Sequence, residues 1–317
     1  MAKRQVIRIR PQEMSWGEAL DRYITTKAAE GLREATLTDY RQKVGQFFRT
    51  YPGFWPLAIE GSLLGWLASA KAAATYNLRL GAMKLFLNWA VKRQLVSENP
   101  VAEFHMRRKP DRITDIPEDV IRELFTLPDK STYSGSRDYA LFALFLDTGL
   151  RPHEAFGLVP GDINLKTHEV NVSAELAKTG LPRALPLSDV TVRALDEFLT
   201  ARPREWGAND VVFTSVFGRQ LNKDSWGDIM EKYSKRLDCK IRGYDLRHLF
   251  ALAFLRRGGN AFALQQIMGH KSMDMTRRYV NLVQGDIREM HDKASPVASL
   301  IPSSRKTTKI SHRDRDR

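Results

Sequence analysis

Arg151, Arg247, His270 and Tyr279 are side chains that phosphate chemistry uses, and each stands beside a signal for a rigid element. An arginine donates two parallel N–H bonds from a planar fork and does not lose its charge, so it suits phosphoryl oxygens. Arg151 follows Thr148-Gly149-Leu150, where an apolar helix stops, and Pro152 suits the first turn of the next helix. Glu154 is three residues on, on the same helical face, where it can orient the guanidinium. The same spacing also describes a surface arginine in a helical ion pair. In Tyr244-Asp245-Leu246-Arg247-His248, Tyr244 and Arg247 share a face and can reach one phosphate, and apolar Leu249-Phe250-Ala251-Leu252 would anchor that helix. Taken alone, the segment reads as a core helix capped by Asp245, with His248 a buried structural histidine. Ile267-Met268-Gly269-His270-Lys271-Ser272 and Met273-Asp274-Met275-Thr276-Arg277-Arg278-Tyr279 complete the set. A histidine after a glycine stop is ordinarily a cap, and a single tyrosine ordinarily a half-buried core residue. Together and in this order the pieces are harder to explain by structure alone. The sequence has no HExxH, no CxxC and no close Asp/Glu/His cluster in an informative frame, so cations rather than a metal are expected to meet the charge.

The overall charge agrees with an anionic partner. Among 317 residues, 50 Lys+Arg face 37 Asp+Glu, a formal charge of +13. Each cation set on a nucleic-acid phosphate releases a condensed counterion, so a polyanion is the natural partner. Basic charge is shared, however, by ribosomal, membrane-surface and nucleotide-binding proteins. One cysteine, Cys239, excludes an internal disulfide and a cysteine-rich zinc site. The longest apolar run, Tyr139 to Leu146, falls far short of the roughly 20 residues of a membrane helix. The basic N-terminus has no apolar segment behind it. A cytoplasmic location is expected.

These residues need elements to hold them. A basic arm spans 1–14, and Ser15 with Glu18 fits a capping box opening a helix with Trp16, Leu20, Tyr23 and Ile24 at helical spacing. Helices over about Ala35–Arg49, Gly61–Ala70 and Ala74–Arg93 complete an all-α region, 15–100. A polar, basic stretch at 101–113, closing on Pro110, reads as a linker; it is either solvated chain or the place where a clamp would cross a backbone. A second domain over 114–297 starts with helices near Pro117–Leu127 and Arg137–Asp147. A strand is expected over Ile163–Val172, a turn at Ala177–Gly180, a returning strand over Arg183–Leu187 and a short one at Val211–Phe213. Helices dominate from Ser188 onward. Residues 298–317 read as a basic, disordered tail.

Four segments, LDTGLRPHEAFGL (146–158), AKTGLPRALPL (177–187), YDLRH (244–248) and IMGHKSMDMTRRY (267–279), resemble the successive boxes of the tyrosine recombinases of the phage-integrase and Xer type, in order and in the His-to-Tyr interval. The likeness covers nearly the whole chain. It implies a mainly α fold: an N-terminal SAM-like helical core-binding domain, then a mixed α+β catalytic domain with a small antiparallel sheet. It implies that Arg151 and Arg247 bind the scissile phosphate and stabilise its pentacoordinate transition state. Lys178 matches the lysine that protonates the departing 5′ oxygen. His270 matches a histidine that hydrogen-bonds phosphate or nucleophile, and Tyr279 the nucleophile, which forms a 3′-phosphotyrosine and lets the strand rejoin without ATP. Glu154, Tyr244 and His248 are supporting candidates. The sequence departs from the family at Tyr244, where histidine is usual. A phenol donates to phosphate but is a poor base at pH 7, so either proton transfer falls to His248 or His270 or the site tolerates its loss.

The implied partners are double-stranded DNA, a tetramer on two DNA sites and an accessory or directionality factor; no cofactor, metal or membrane is expected. Residues 285–301, with Ile287, Met290, Val297 and Leu300 apolar, are a candidate arm for a neighbouring protomer or a helix packed on its own domain. Two rivals stay open: a type IB topoisomerase, and a non-catalytic DNA-binding derivative.

Overall fold

Ser15 opens the first helix as its pairing with Glu18 predicts. Its Oγ accepts the Glu18 backbone N–H at 3.2 Å while the Glu18 carboxylate accepts the Ser15 N–H at 2.9 Å, so two backbone donors that a helix start leaves open are satisfied. The computed structural model describes residues 14–56, 59–108, 115–203, 205–283, 291 and 295–300. They divide into two compact units, Met1–Asp111 and Arg112–Arg317.

The first unit holds α1 (Trp16–Ala29), α2 (Glu34–Thr50), α3 (Ile59–Ala68) and α4 (Ala73–Lys92). Its core is aromatic: Tyr23 meets Phe86 and Trp89 edge-on, with ring centres 5.5 and 5.6 Å away, contacts each worth about 0.5–1.5 kcal/mol beyond the area buried. Residues 101–108, the first part of the stretch read as linker, are folded onto this unit. Val101 is buried in its core, the Asn77 side chain exchanges two hydrogen bonds with the Arg107 backbone, and the Arg107 guanidinium lies 3.9 Å over the Tyr76 ring. The basic arm to residue 13 and residues 109–114 lie outside the described residues.

The second unit contains α5 (Glu118–Leu124), α6 (Tyr133–Thr148), α7 (Pro152–Phe156), α8 (Asp189–Thr200), α9 (Lys223–Leu237), α10 (Asp245–Arg256), α11 (Ala261–Met268) and α12 (Met273–Val283), with a short helical turn at Pro296–Leu300. Ala140 to Phe145 are buried on every side of α6, which is why that run is continuously apolar rather than amphipathic. α8 and α10 pack against it.

Strands β1 (Ile163–Asn164), β2 (Glu169–Val172) and β3 (Arg183–Pro186) form one antiparallel sheet in that order, with Val170 opposite Leu185. The single strand expected over Ile163–Val172 is therefore a hairpin. Asn164 Oδ1 accepts the backbone N–H groups of Lys166 and Thr167 at 3.0 Å each, and His168 takes a positive φ of 55°; a local side-chain bond of this kind competes with the strand. Val211–Phe213 is likewise not a strand: Val212 donates to Leu158 O at 2.7 Å, and a lone bridge joins Thr214 to Gln220. The whole is mainly α with a small antiparallel sheet. The candidate arm at 285–301 falls largely outside the described residues, and so does the tail from 301. Among the described residues no helix is long and apolar enough to cross a membrane.

Candidate active site

Helix α6 stops at Gly149, whose φ of +61° favours glycine, and a Cβ there would come within 2.4 Å of the Phe250 ring. Backbone conformation and helix packing thus both require glycine at the turn that presents Arg151. Arg151 lies at the N-cap of α7, 5% exposed. Its backbone N–H and Nη1 both donate to the Glu154 carboxylate at 3.1 Å, and Nη2 donates to Gly269 O at 2.9 Å.

Arg247, in the first turn of α10, is 1% exposed. It donates to Gly149 O and, at 2.8 Å, to Met268 O; its buried Nε has no partner among the described residues. A third guanidinium comes from the sheet, where Arg183 Nε donates to Ile267 O at 3.0 Å and Nη2 to Glu154 at 2.7 Å. Three consecutive carbonyls, 267, 268 and 269, therefore accept from three different arginines. The end of α11 provides them because its last carbonyls have no partner within the helix and carry the negative end of its dipole. Gly269 ends that helix at a φ of +60°, and a Cβ on it would press within 3.2 Å of the Arg183 guanidinium.

Glu154, fully buried, is the carboxylate that answers these cations. Burial by itself would raise its pKa; the hydrogen bonds and charge of Arg183, with Arg151, outweigh burial and hold it down at about 2.

His270 sits 3.1 Å from Arg247 Nη2 through Nε2 and 2.8 Å from Thr276 Oγ1 through Nδ1. A guanidinium only donates, so Nε2 accepts and Nδ1 carries the proton. Burial, then the charges of Arg247, Arg151 and Arg183, push this imidazole down to about 3, so it is neutral at pH 7. The Tyr279 ring from α12 lies parallel to it, centres 6.3 Å apart. Tyr279 is 5% exposed, and burial pushes its phenol up to about 12 against the pull of Arg247 and Arg151. Its Oη is 2.8 Å from His248 Nδ1. Tyr244 is 41% exposed and packs its ring edge-on against His248 at 5.0 Å.

Seven of the eight residues singled out in the sequence thus converge: Arg151, Glu154, Arg247 and His270 in one bonded network, with Tyr279, His248 and Tyr244 packed against it. Lys178 does not join them. It is exposed in the connection between β2 and β3, and among the described residues no hydrogen bond or ion pair ties it to the cluster. Arg183 and Thr276 are the members that sequence reasoning missed. In the sequence Arg183 signals only the start of a strand, though it is a charged residue inside one of the four boxes. Among the described residues no group of three or more His, Cys, Asp or Glu side chains is placed to hold a metal ion.

Residues 114–285, more than half of the chain, match the family model described as the phage integrase family, and the chain belongs to that family of tyrosine recombinases. As a class these are site-specific recombinases. The chain is similar to the tyrosine recombinase XerC of Myxococcus xanthus, 28% identical over 250 residues that cover 76% of this chain and 82% of that one. The XerC of Chlamydia trachomatis serovar D is 27% identical over 239 residues, 74% of this chain and 75% of the relative. In fold it resembles the Tn1549 transposon integrase in complex with transposon right end DNA, at a TM-score of 0.68 and 17% identity over 84% of this chain and 94% of that one. It also resembles lambda integrase, seen as a tetramer bound to a Holliday junction, at 0.65 and 20% over 86% and 83%.

Proposed function

We propose that this protein cuts and rejoins duplex DNA at a specific site through a 3′-phosphotyrosine at Tyr279, using neither metal nor ATP. One observation carries the reading: three guanidinium groups crowd the end of α11 against a single buried carboxylate, and the excess positive charge lies beside the Tyr279 ring. A phosphodiester is the anion that such a pocket complements. Tyr279 Oη attacks phosphorus, the bond to the 5′ oxygen breaks, and Arg151 and Arg247 take up the charge on the non-bridging oxygens. Lys178 supplies the proton for the 5′ oxygen; its exposed place on the β2–β3 turn suits a group that meets DNA. His270, between Arg247 and the tyrosine ring, takes the family's phosphate- or nucleophile-bonding role once DNA displaces Arg247 or Thr276 from one of its nitrogens. Because the phosphotyrosine keeps the energy of the broken bond, a 5′ hydroxyl reverses the step and reseals the strand.

The assembly is a tetramer on two DNA sites, working through a Holliday junction and open to an accessory directionality factor; the tetrameric lambda complex supports this by likeness of fold. The protein acts on DNA in the cytoplasm, at the nucleoid. The test is covalent capture on nicked duplex DNA: the wild type forms a denaturant-resistant adduct, and Tyr279→Phe forms none while binding DNA with nearly unchanged affinity. An adduct from the phenylalanine variant would show that another residue is the nucleophile. Exchange between two sites, rather than relaxation of a supercoil, separates recombination from topoisomerase action.

A further inference from the structure

We infer that His248 is the general base of strand cleavage, its Nδ1 receiving the proton of Tyr279 as Oη attacks phosphorus. This rests on the reading of Tyr279 as nucleophile and adds the group that makes the phenol reactive.

Burial keeps Tyr279 protonated at neutral pH, so attack needs an acceptor for its hydrogen. The cations around it, Arg247 and Arg151, have no lone pair to offer. Both nitrogens of His270 are engaged, Nε2 by Arg247 and Nδ1 by Thr276, and its ring lies parallel to the tyrosine ring. Among the described residues His248 Nδ1 is the hydrogen-bond partner of Oη, at 2.8 Å. That is within the reach a general base requires.

The surroundings keep this imidazole basic and in place. Burial, with Arg247 adding to it and Asp245 opposing it, lowers the pKa of His248 from its ordinary value, so at pH 7 the ring is neutral. With the phenol as the donor of the Oη–Nδ1 hydrogen bond, the ring proton sits on Nε2 and the lone pair on Nδ1 faces Oη. His248 follows Arg247 on α10, so one rigid helix carries both a phosphate-binding cation and the base. Tyr244, one turn earlier, packs on the imidazole edge-on. The titratable and charged groups facing His248 are Asp245, Arg247 and Tyr244 beside it and Tyr279 from α12.

In cleavage the Oη–P bond forms and the P–O5′ bond breaks. The Oη proton moves to Nδ1, giving an imidazolium, and Lys178 protonates the departing 5′ oxygen. In rejoining, the 5′ hydroxyl attacks, its proton returns to Lys178, and the imidazolium gives its proton back to Tyr279. No other reactant is consumed.

The experiment measures the single-turnover rate of covalent-adduct formation from pH 5.5 to 9. The probe is a pool of nicked duplexes of randomised core sequence, enriched on the wild-type protein for adduct-forming members. H248Q keeps a hydrogen-bonding group but cannot take up a proton; it is expected to be about 100- to 1,000-fold slower, within the range of general acid–base catalysis. It should lose the acidic limb of the wild-type profile and bind the probe normally. H248A should regain rate as imidazole free base is added. A rate for H248Q within threefold of wild type at every pH overturns the assignment. So does a slow H248Q with the wild-type pH profile, since that marks His248 as structural support; thermal melts of both variants separate misfolding from slow chemistry. Y279F is run beside them, and an adduct there would refute the nucleophile itself rather than its base.

Discussion

Replacing Glu154 by glutamine tests the idea that one buried carboxylate holds the arginines in position. Its two oxygens accept four hydrogen bonds, from the Arg151 backbone N–H and Nη1 and from Arg183 Nη1 and Nη2. An amide retains one acceptor and turns a donor toward guanidinium groups that can only donate. The folded protein holds the Glu154 carboxyl at about 2 against an ordinary 4.5. At about 1.4 kcal/mol per pH unit, that is about 3 kcal/mol of stability drawn from the ionised form. Removing one partner of a buried pair costs about 3–5 kcal/mol, so Glu154→Gln is expected to destabilise the second unit by about 3–4 kcal/mol at pH 7. The sign follows from the depressed pKa. The wild-type advantage is whole above pH 4.5 and shrinks as pH falls toward 2, where the folded carboxyl also protonates. Native-state hydrogen exchange of α6 and α10 amides in the full chain, at matched pH values, reads the opening free energy. A loss below 1 kcal/mol at pH 7, or an equal loss at pH 7 and pH 3, would refute the reasoning. Covalent-adduct formation should slow at least tenfold in the same variant, because Arg151 loses the group that aims it.

Arg151→Ala and Arg247→Ala should each remove about 2–4 kcal/mol of transition-state stabilisation, like the loss of one oxyanion donor; a fall of less than tenfold in cleavage rate would count against contact with the scissile phosphate. Tyr244→His should preserve or raise the rate of adduct formation. Tyr244→Phe should cost about 1–3 kcal/mol if the phenol donates to phosphate; equal rates for tyrosine and phenylalanine would reduce Tyr244 to the ring that packs on His248.

Short-range signals in the sequence determined much of this protein. The Ser15–Glu18 capping box, the all-apolar middle of α6 and the glycine stops at 149 and 269 depend on neighbours within a few residues, and they stand where the sequence puts them. So do the four boxes, whose arginines, histidine and tyrosine the fold gathers as their order suggests. Other features were decided over long separations. Nothing near Arg183 says that it will meet Glu154, 29 residues away, and the carbonyl of Ile267, 84 residues away. His248 looked like core because its partner Tyr279 lies 31 residues on, in a different helix. The hairpin inside Ile163–Val172 escaped because a side-chain bond from Asn164 competed with strand pairing in a segment of strand-like composition. Local chemistry chooses elements and caps, whereas the partner of a buried charge is settled only when distant elements pack and water no longer solvates it.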